Sequence, residues 1–526
     1  MRITPRLRRY GALLTSMLGL VLAAPQAIAD APNSPEALYT QHCAACHGVN
    51  RLGGMGPALL PENLGRLRPA KAVKVIRDGR PATQMPAFGH QLSDKQIKAL
   101  AKWIYTPLPH MPDWGQSQIQ ASRIQYEDIT RLPKSPVYQA DMQNLFVVVE
   151  TGDHHVTVLD GDTFEPITRF PSRYALHGGP KYSPDGRFVY FGSRDGWITQ
   201  YDLYSLKVVA EIRAGINMRN VAISDDGHWL MAANYLPHTL VLLDAITLEP
   251  VKIYPVADLN GKSSRVSAVY TAPPRHSFIA ALKDVKEVWE IPYPNLTVPK
   301  VYDRPLRPAV QALRAHAVPM EVQRIPVADY LDDFFFDPDY RYLIGASRSG
   351  GSAWVMDLDT RQPVTELALG GMPHLGSGIT WRWKNTRVLA TPNLKKGEIT
   401  IIDMATWKPI KRLPTPGPGF FMRSHSQSPW AWADVFFGPN RDQMLVINKQ
   451  TLEIEKTLIP RPGKTSAHIE YTRDGKYALL SIWENPGELI VYDAQTLKEL
   501  KSLPMSKPSG KYNVFNKTHY DEGTSH

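Results

Sequence analysis

Cys43, Cys46 and His47 stand together in the order C-A-A-C-H, and these are the only two cysteines in 526 residues. Two thiols at this spacing share one helical turn, where both can add to the two vinyl groups of a porphyrin. The imidazole that follows at once is then placed to face the iron, and C-x-x-C-H is the attachment signature of a c-type haem. A thioredoxin-like redox pair is the alternative for C-x-x-C. It requires a strand–helix–strand context that this stretch lacks, and it leaves His47 without a task. Two cysteines also exclude a disulfide framework, a multi-cysteine zinc site and an iron–sulfur cluster. The motif predicts one covalent haem c held by Cys43 and Cys46, with His47 on the iron.

The flanking residues supply the elements that would position this group. Ser34 and Pro35 read as a helix start, cap followed by proline at the first position, for a helix that carries Leu38, Tyr39 and the motif. Gly53 to Pro57 (G-G-M-G-P) reads as a loop over the haem edge. Ser93 to Gln96 (S-D-K-Q) is a capping box, and Ile97, Leu100, Ala101 and Ile104 follow at i, i+3, i+4 and i+7, one face of a helix. Met85 to Phe88 (M-P-A-F) resembles the loop that brings methionine to the iron in small cytochromes c. Met85 is therefore the expected sixth ligand, a soft thioether that favours ferrous iron; His90, Met55 and an open position are the alternatives.

Residues 1–29 have the three parts of a secretory signal: Arg2 to Arg9 as the positive region, Ala12 to Ala24 as the apolar region, and Ala27-Ile28-Ala29 as the cleavage site. Thirteen apolar residues fall short of a membrane span, so the expectation is an exported chain, periplasmic in a Gram-negative cell. Lys and Arg exceed Asp and Glu by 60 to 50, and removing the four leader arginines leaves +6. No block of basic residues stands out, which argues against nucleic acid as a partner and for an anionic small molecule or an acidic protein.

From about residue 136 a repeat sets in. Its unit is a turn of the S-P-D-G type, a strand, a second strand ending in apolar-Asp, and a turn like T-L-E-P. Ser183 to Gly186, Ser224 to Gly227, Asp337 to Tyr340 and Thr472 to Gly475 are the first turns; Asp160, Asp202, Asp244, Asp357, Asp403, Asn448 and Asp493 mark the strand ends. The clear spacings of 42, 42, 46, 45 and 45 residues are those of four-stranded propeller blades. A degraded copy near Trp289 makes eight units, with residues 295–330 read as an insertion between the fourth and fifth. The Asp and Gly residues of the repeat are turn chemistry. The predicted fold is a small all-α class I cytochrome c domain over 30–107, a linker over 108–135, an all-β eight-bladed propeller over 136–518 and a tail over 519–526.

The two domains together resemble the cytochrome cd1 family. Arg173 to His177 (R-Y-A-L-H) is similar to the segment that supplies the proximal histidine of haem d1. Ser193 to Gly196, Gly215 to Arg219, Ala233 to Pro237, Thr247 to Pro250 and Ser509 to Asn516 continue the likeness in order. Quinoprotein alcohol dehydrogenases, another cytochrome–propeller pairing, have tryptophan-docking repeats and a vicinal disulfide that this chain lacks. The resemblance implies a non-covalent haem d1 macrocycle in the propeller, with His177 on its iron and its carboxylates held by Arg173, Arg194 and Arg219, with Tyr235 beside them.

Two departures from the nitrite reductases of this family matter. His374, in G-G-M-P-H-L-G, matches one of their two distal histidines; the other is replaced by Asp332, with Phe334 and Phe335 expected to crowd the site. His468 stands where they have glutamine. This pattern is similar to the dihydro-haem d1 dehydrogenases, which oxidise a propionate of the macrocycle to an acrylate. The resemblance implies His468 as general base or distal iron ligand, Tyr512 as hydrogen-bond partner or proton relay, and His374 as a second distal polar group. It further implies dihydro-haem d1 as substrate, a periplasmic electron acceptor, a cytochrome cd1 nitrite reductase as recipient of the product, and a homodimer as one arrangement. A cd1-type nitrite reductase and a non-catalytic haem d1 carrier are the competing readings.

Overall fold

The structure is a computed structural model that describes residues 34–65, 67–80, 85–294, 307–315 and 317–519. The expected leader at 1–29 and all but the first residue of the tail lie outside the described residues. No described helix is long and apolar enough to cross a membrane.

The N-terminal part is built of helices. α1 (Pro35–His42) begins where the Ser34 hydroxyl accepts the Ala37 amide at 3.2 Å, with proline at the first position. α2 (Ala44–His47) carries the haem motif, α3 (Pro61–Leu64) is a single turn, and α4 (Pro69–Asp78) stops at Gly79, whose φ of 70° most side chains avoid. α5 (Asp94–Trp103) opens with the full reciprocal capping box of Ser93 and Gln96. Its buried face, Ile97, Leu100 and Ala101, packs on Leu38, Tyr39, Ala72 and Ile76. Truncating a fully buried leucine such as Leu100 to alanine costs about 2–5 kcal/mol. Arg51, an unforeseen clamp, is buried and donates to the carbonyls of Trp103, Ile104 and Thr106 at the end of α5.

The rest is the predicted eight-bladed propeller, made of eight antiparallel sheets. Blade one holds Phe146–Glu150, His155–Leu159 and Pro166–Pro171, and the ring closes because the C-terminal strand Pro508–Asn513 pairs with Phe146–Glu150. Blades two to eight begin at Lys181, Asn217, Val266, Leu331, Ile379, Met422 and Ser466. The repeat aspartates do what turn chemistry asks. Asp244 accepts the amides of Ile246 and Thr247, and Asp493 accepts those of Gln495 and Thr496.

Two expectations change. Gln323–Pro326 pairs with Glu287–Pro292 as the outer strand of blade four, so the insertion interrupts that blade before its last strand. The linker is also structured: α6 (Gln116–Ala121) precedes Ile124–Gln125, which adds a fifth strand to blade two. The cytochrome part rests on blades two and three of its own chain. Ala58 and Leu60 bury against Ile216 and Leu236, Asn63 donates to the Ile216 carbonyl at 3.0 Å, and Arg213 donates to that of Leu52 at 2.6 Å.

Candidate functional site

In the cytochrome part, α2 holds both thiols free and half-buried. Burial pushes the Cys43 thiol up to about 11, so it stays protonated, the form that adds across a vinyl group. The His47 ring donates from Nδ1 to the Pro57 carbonyl at 2.8 Å, which fixes the tautomer and leaves the Nε2 lone pair for a metal. A side chain at Gly56 would come within 2.7 Å of that ring, so only glycine fits over it. These residues fit a covalent haem c. Met85 packs half-buried on the helical core, whereas His90 and Met55 face solvent. Of the candidate sixth ligands, only Met85 is on the inside.

In the propeller hub, His177 sits in a tight non-regular segment: Ala175 has φ of 53°, and Gly178 and Gly179 follow with φ of 83° and 70°. His177 Nδ1 donates to the Arg219 carbonyl at 2.8 Å. Its Nε2 lone pair therefore points outward, toward Arg194 Nη2 at 2.7 Å and Arg219 Nη1 at 3.1 Å. Two guanidinium groups thus gather at the atom expected to ligate iron. Arg219 also donates to the Ser267 carbonyl. Tyr235 lies on the same side, under Arg265 and Lys283 at 5.6 and 5.5 Å. Arg173 is placed elsewhere. It forks onto Glu211 of blade two and stacks on Trp197 at 3.8 Å, so the structure does not bring it to this group.

A second wall of the hub is aromatic. His468 occupies a bulge in the first strand of blade eight with φ of 56°, and the bulge re-aims its ring. That ring meets Phe421 at 4.9 Å and Tyr512 at 5.4 Å. Phe420, Phe436, Phe437 and Trp483 extend the wall. Tyr512 is flanked by Gly179 and Gly510, where a methyl group would approach the phenol to 3.1 and 2.5 Å. His374 stacks on Phe420 at 4.3 Å, donates from Nδ1 to the Phe420 carbonyl at 2.7 Å, and lies 3.7 Å from Asp333.

Burial is the main cause of every pKa change here. It holds the His468 imidazole well below its usual range, with Lys511 adding to the effect, and it lowers His374 against the pull of Asp333. It raises the Tyr512 phenol, which stays protonated. Lys511 is fully buried, and burial drives its amine well down. The amine contacts the His468 carbonyl, Ser481 Oγ at 2.9 Å and His468 Nδ1 at 3.4 Å. The amine thus reaches both the carbonyl and the ring of His468, the ring that packs on Phe421 and Tyr512 in the hub wall.

Residue patterns did not single out Lys511, Asp333, Lys283, Arg265 or the Phe420–Phe421 wall. Lys511 carries one signal, as a lysine within the stretch Ser509 to Asn516 that shares the family likeness. Phe334 and Phe335 do not crowd the hub. Phe334 packs between blades four and five and Phe335 between blades five and six, and Asp332 pairs with Lys283.

A profile described as the cytochrome D1 heme domain matches residues 140–305 and 314–517, and one described as cytochrome C oxidase, cbb3-type, subunit III matches 30–104. The dihydro-heme d1 dehydrogenase of Pseudomonas aeruginosa is 57% identical over 514 residues, 98% of this chain and 100% of that one. The chain belongs to the dihydro-haem d1 dehydrogenase family. A solved structure described as dihydro-heme d1 dehydrogenase NirN in complex with DHE superposes with a TM-score of 0.87 at 57% identity, covering 93% of this chain and 100% of that one. The nitrite reductase of Stutzerimonas stutzeri is 24% identical over 95% of this chain and 96% of its own.

Proposed function

We propose that this protein is a periplasmic oxidoreductase that dehydrogenates a propionate of dihydro-haem d1 to the acrylate. One observation supports this choice among family activities: His468 packs on Phe421 and Tyr512, Gly179 joins Tyr512 to the His177 segment, and Asp332, which stands in sequence where the resemblance expects a second distal histidine, pairs with Lys283.

Oxidation of a propionate to an acrylate removes two electrons and two protons. His177 offers an imidazole nitrogen to the substrate iron, its tautomer fixed by the Arg219 carbonyl. Arg194 and Arg219, with Tyr235, face the carboxylates at the rim. His468, neutral through burial, takes a proton from the side chain, and Lys511 behind it, donating to the His468 carbonyl, holds the bulge that carries the ring. Tyr512 keeps its own proton and hydrogen-bonds the reacting region. His374, a second neutral imidazole, takes the second proton, and the aromatic wall excludes water. Cys43 and Cys46 would hold haem c, with His47 and Met85 offered to its iron; such a group would supply one-electron transfer, and completing the oxidation would then require an external acceptor.

The test is anaerobic addition of dihydro-haem d1 to the purified protein, followed by visible spectroscopy. Conversion with simultaneous haem c reduction is expected. Binding without conversion would make the protein a carrier, and nitrite turnover would make it a reductase.

A further inference from the structure

On the arginine side of the hub, at blades three to five, lies a cluster of charges of which the proposed chemistry uses only Arg219. Lys283 follows the second strand of blade four and pairs with Asp332 of blade five; both side chains are largely covered, 13% and 23% exposed. Arg265 and Arg348 share a single carboxylate, Asp284, at 2.7 Å each. Arg348 also donates to the Lys283 carbonyl at 2.9 Å. Arg219, the guanidinium at His177, lies within electrostatic reach of Lys283. Four cations thus lie among Asp284, Asp332 and Asp333, with Glu62 of α3 within electrostatic reach of Arg265 and Asp333 also turned toward His374. A half-buried cluster whose cations are already matched by internal carboxylates takes up an outside carboxylate by exchange. The crowding shows in the lysine itself: burial, then Arg219, Arg265 and Arg348, push it down to about 8.

We propose that Lys283 is a binding site for a carboxylate side chain of the tetrapyrrole, and that Asp332 is the internal anion this carboxylate displaces. The inference rests on the hub being a tetrapyrrole pocket. Its geometry is that of an exchange: one ammonium, one carboxylate already present, and a ring, Tyr235, that keeps the ammonium in place at 5.5 Å. An incoming carboxylate gains Lys283 only by releasing Asp332, which makes the two residues opposed in their effect on binding. A pair that merely braces blades four and five would make them act alike.

The experiment titrates the full-length protein anaerobically with dihydro-haem d1 and, in parallel, with its fully methyl-esterified form, reading the visible spectrum. Lys283→Met is expected to weaken the acid form by roughly tenfold or more and the ester by less than about twofold. Lys283→Arg is expected to retain binding, and Asp332→Asn to tighten the acid form. Thermal melting and the haem c spectrum confirm that each variant is folded. Equal weakening of acid and ester in Lys283→Met, or looser binding in Asp332→Asn, would overturn the proposal while leaving the pocket intact. Failure of the unmodified protein to take up either pigment would overturn both this proposal and the function above.

Discussion

The two walls of the hub are made of the same blade architecture and do opposite things to charge. On the side of blades two to five, Arg194, Arg219, Arg265, Lys283 and Arg348 crowd around His177 and Tyr235. On the side of blades six to eight, phenylalanines and Trp483 surround His374 and His468, and burial pushes both imidazoles toward the neutral form. The difference follows from dielectric environment. Cations survive at a rim where carbonyls, aspartates and water share their charge, and there they recognise carboxylates. A base must keep its lone pair, and an apolar wall secures that by making the protonated form expensive. The contrast separates holding the substrate from reacting with it.

If that division is right, substitutions on the two walls sort into different measurements. The largest effect is expected from His468→Ala. Conversion of bound dihydro-haem d1 should fall by about 10²–10⁴, with affinity within about threefold of the unmodified protein. Single-turnover spectra give both quantities, and intact conversion would remove His468 from the chemistry. Tyr512→Phe keeps the ring between Gly179 and Gly510 and loses only the hydroxyl. Its conversion should slow by roughly tenfold to a hundredfold, again with affinity retained.

Arg194→Gln tests the other wall. Affinity should drop by about tenfold, while the rate from the saturated complex stays within a few-fold; a rate loss at saturation would blur the two walls into one. A pH series sharpens the same point. A base acts in its neutral form, which persists above its pKa, and His468 is held well below 6.5. The rate at saturation should therefore stay flat as pH falls past 6.5 and decline only in more acidic solution. An acid limb at or above 6.5 would mean that His468 is solvated in the complex. The smallest effect is expected at the bridge between the two parts of the chain, where Arg80 of the cytochrome donates to the Tyr174 hydroxyl at 2.7 Å, three residues ahead of His177. Tyr174→Phe should slow haem c reduction modestly and leave pigment binding unchanged in the same titration.

Much of this was legible in the residues, unevenly. The haem c motif, the caps of α1 and α5 and the blade count each depend on neighbours in sequence, and each appears where the pattern placed it. His177, His374, His468 and Tyr512 stand out by resemblance; His374, His468 and Tyr512 share the aromatic wall, and Gly179 joins Tyr512 to the His177 segment. Arg173 differs: it sits in the matching segment, but Glu211 and Trp197 capture it. Phe334 and Phe335 were misjudged because alternation along a strand says which residues share a face, not whether that face looks into the hub or into a seam between blades.

By itself, the chain of letters determined the covalent chemistry of Cys43, Cys46 and His47, and the period that makes a closed ring of blades. Thioether attachment needs only one helical turn, and a blade only its turns and its alternation, so both are encoded locally. The tertiary structure alone decided which cations reach His177, that Lys511 stands behind His468, and that Asp332 finds Lys283. Apart from Arg194, which shares blade two with the His177 segment, these partners come from different blades. Their meeting depends on how the ring closes, and closure belongs to the whole chain rather than to any segment of it.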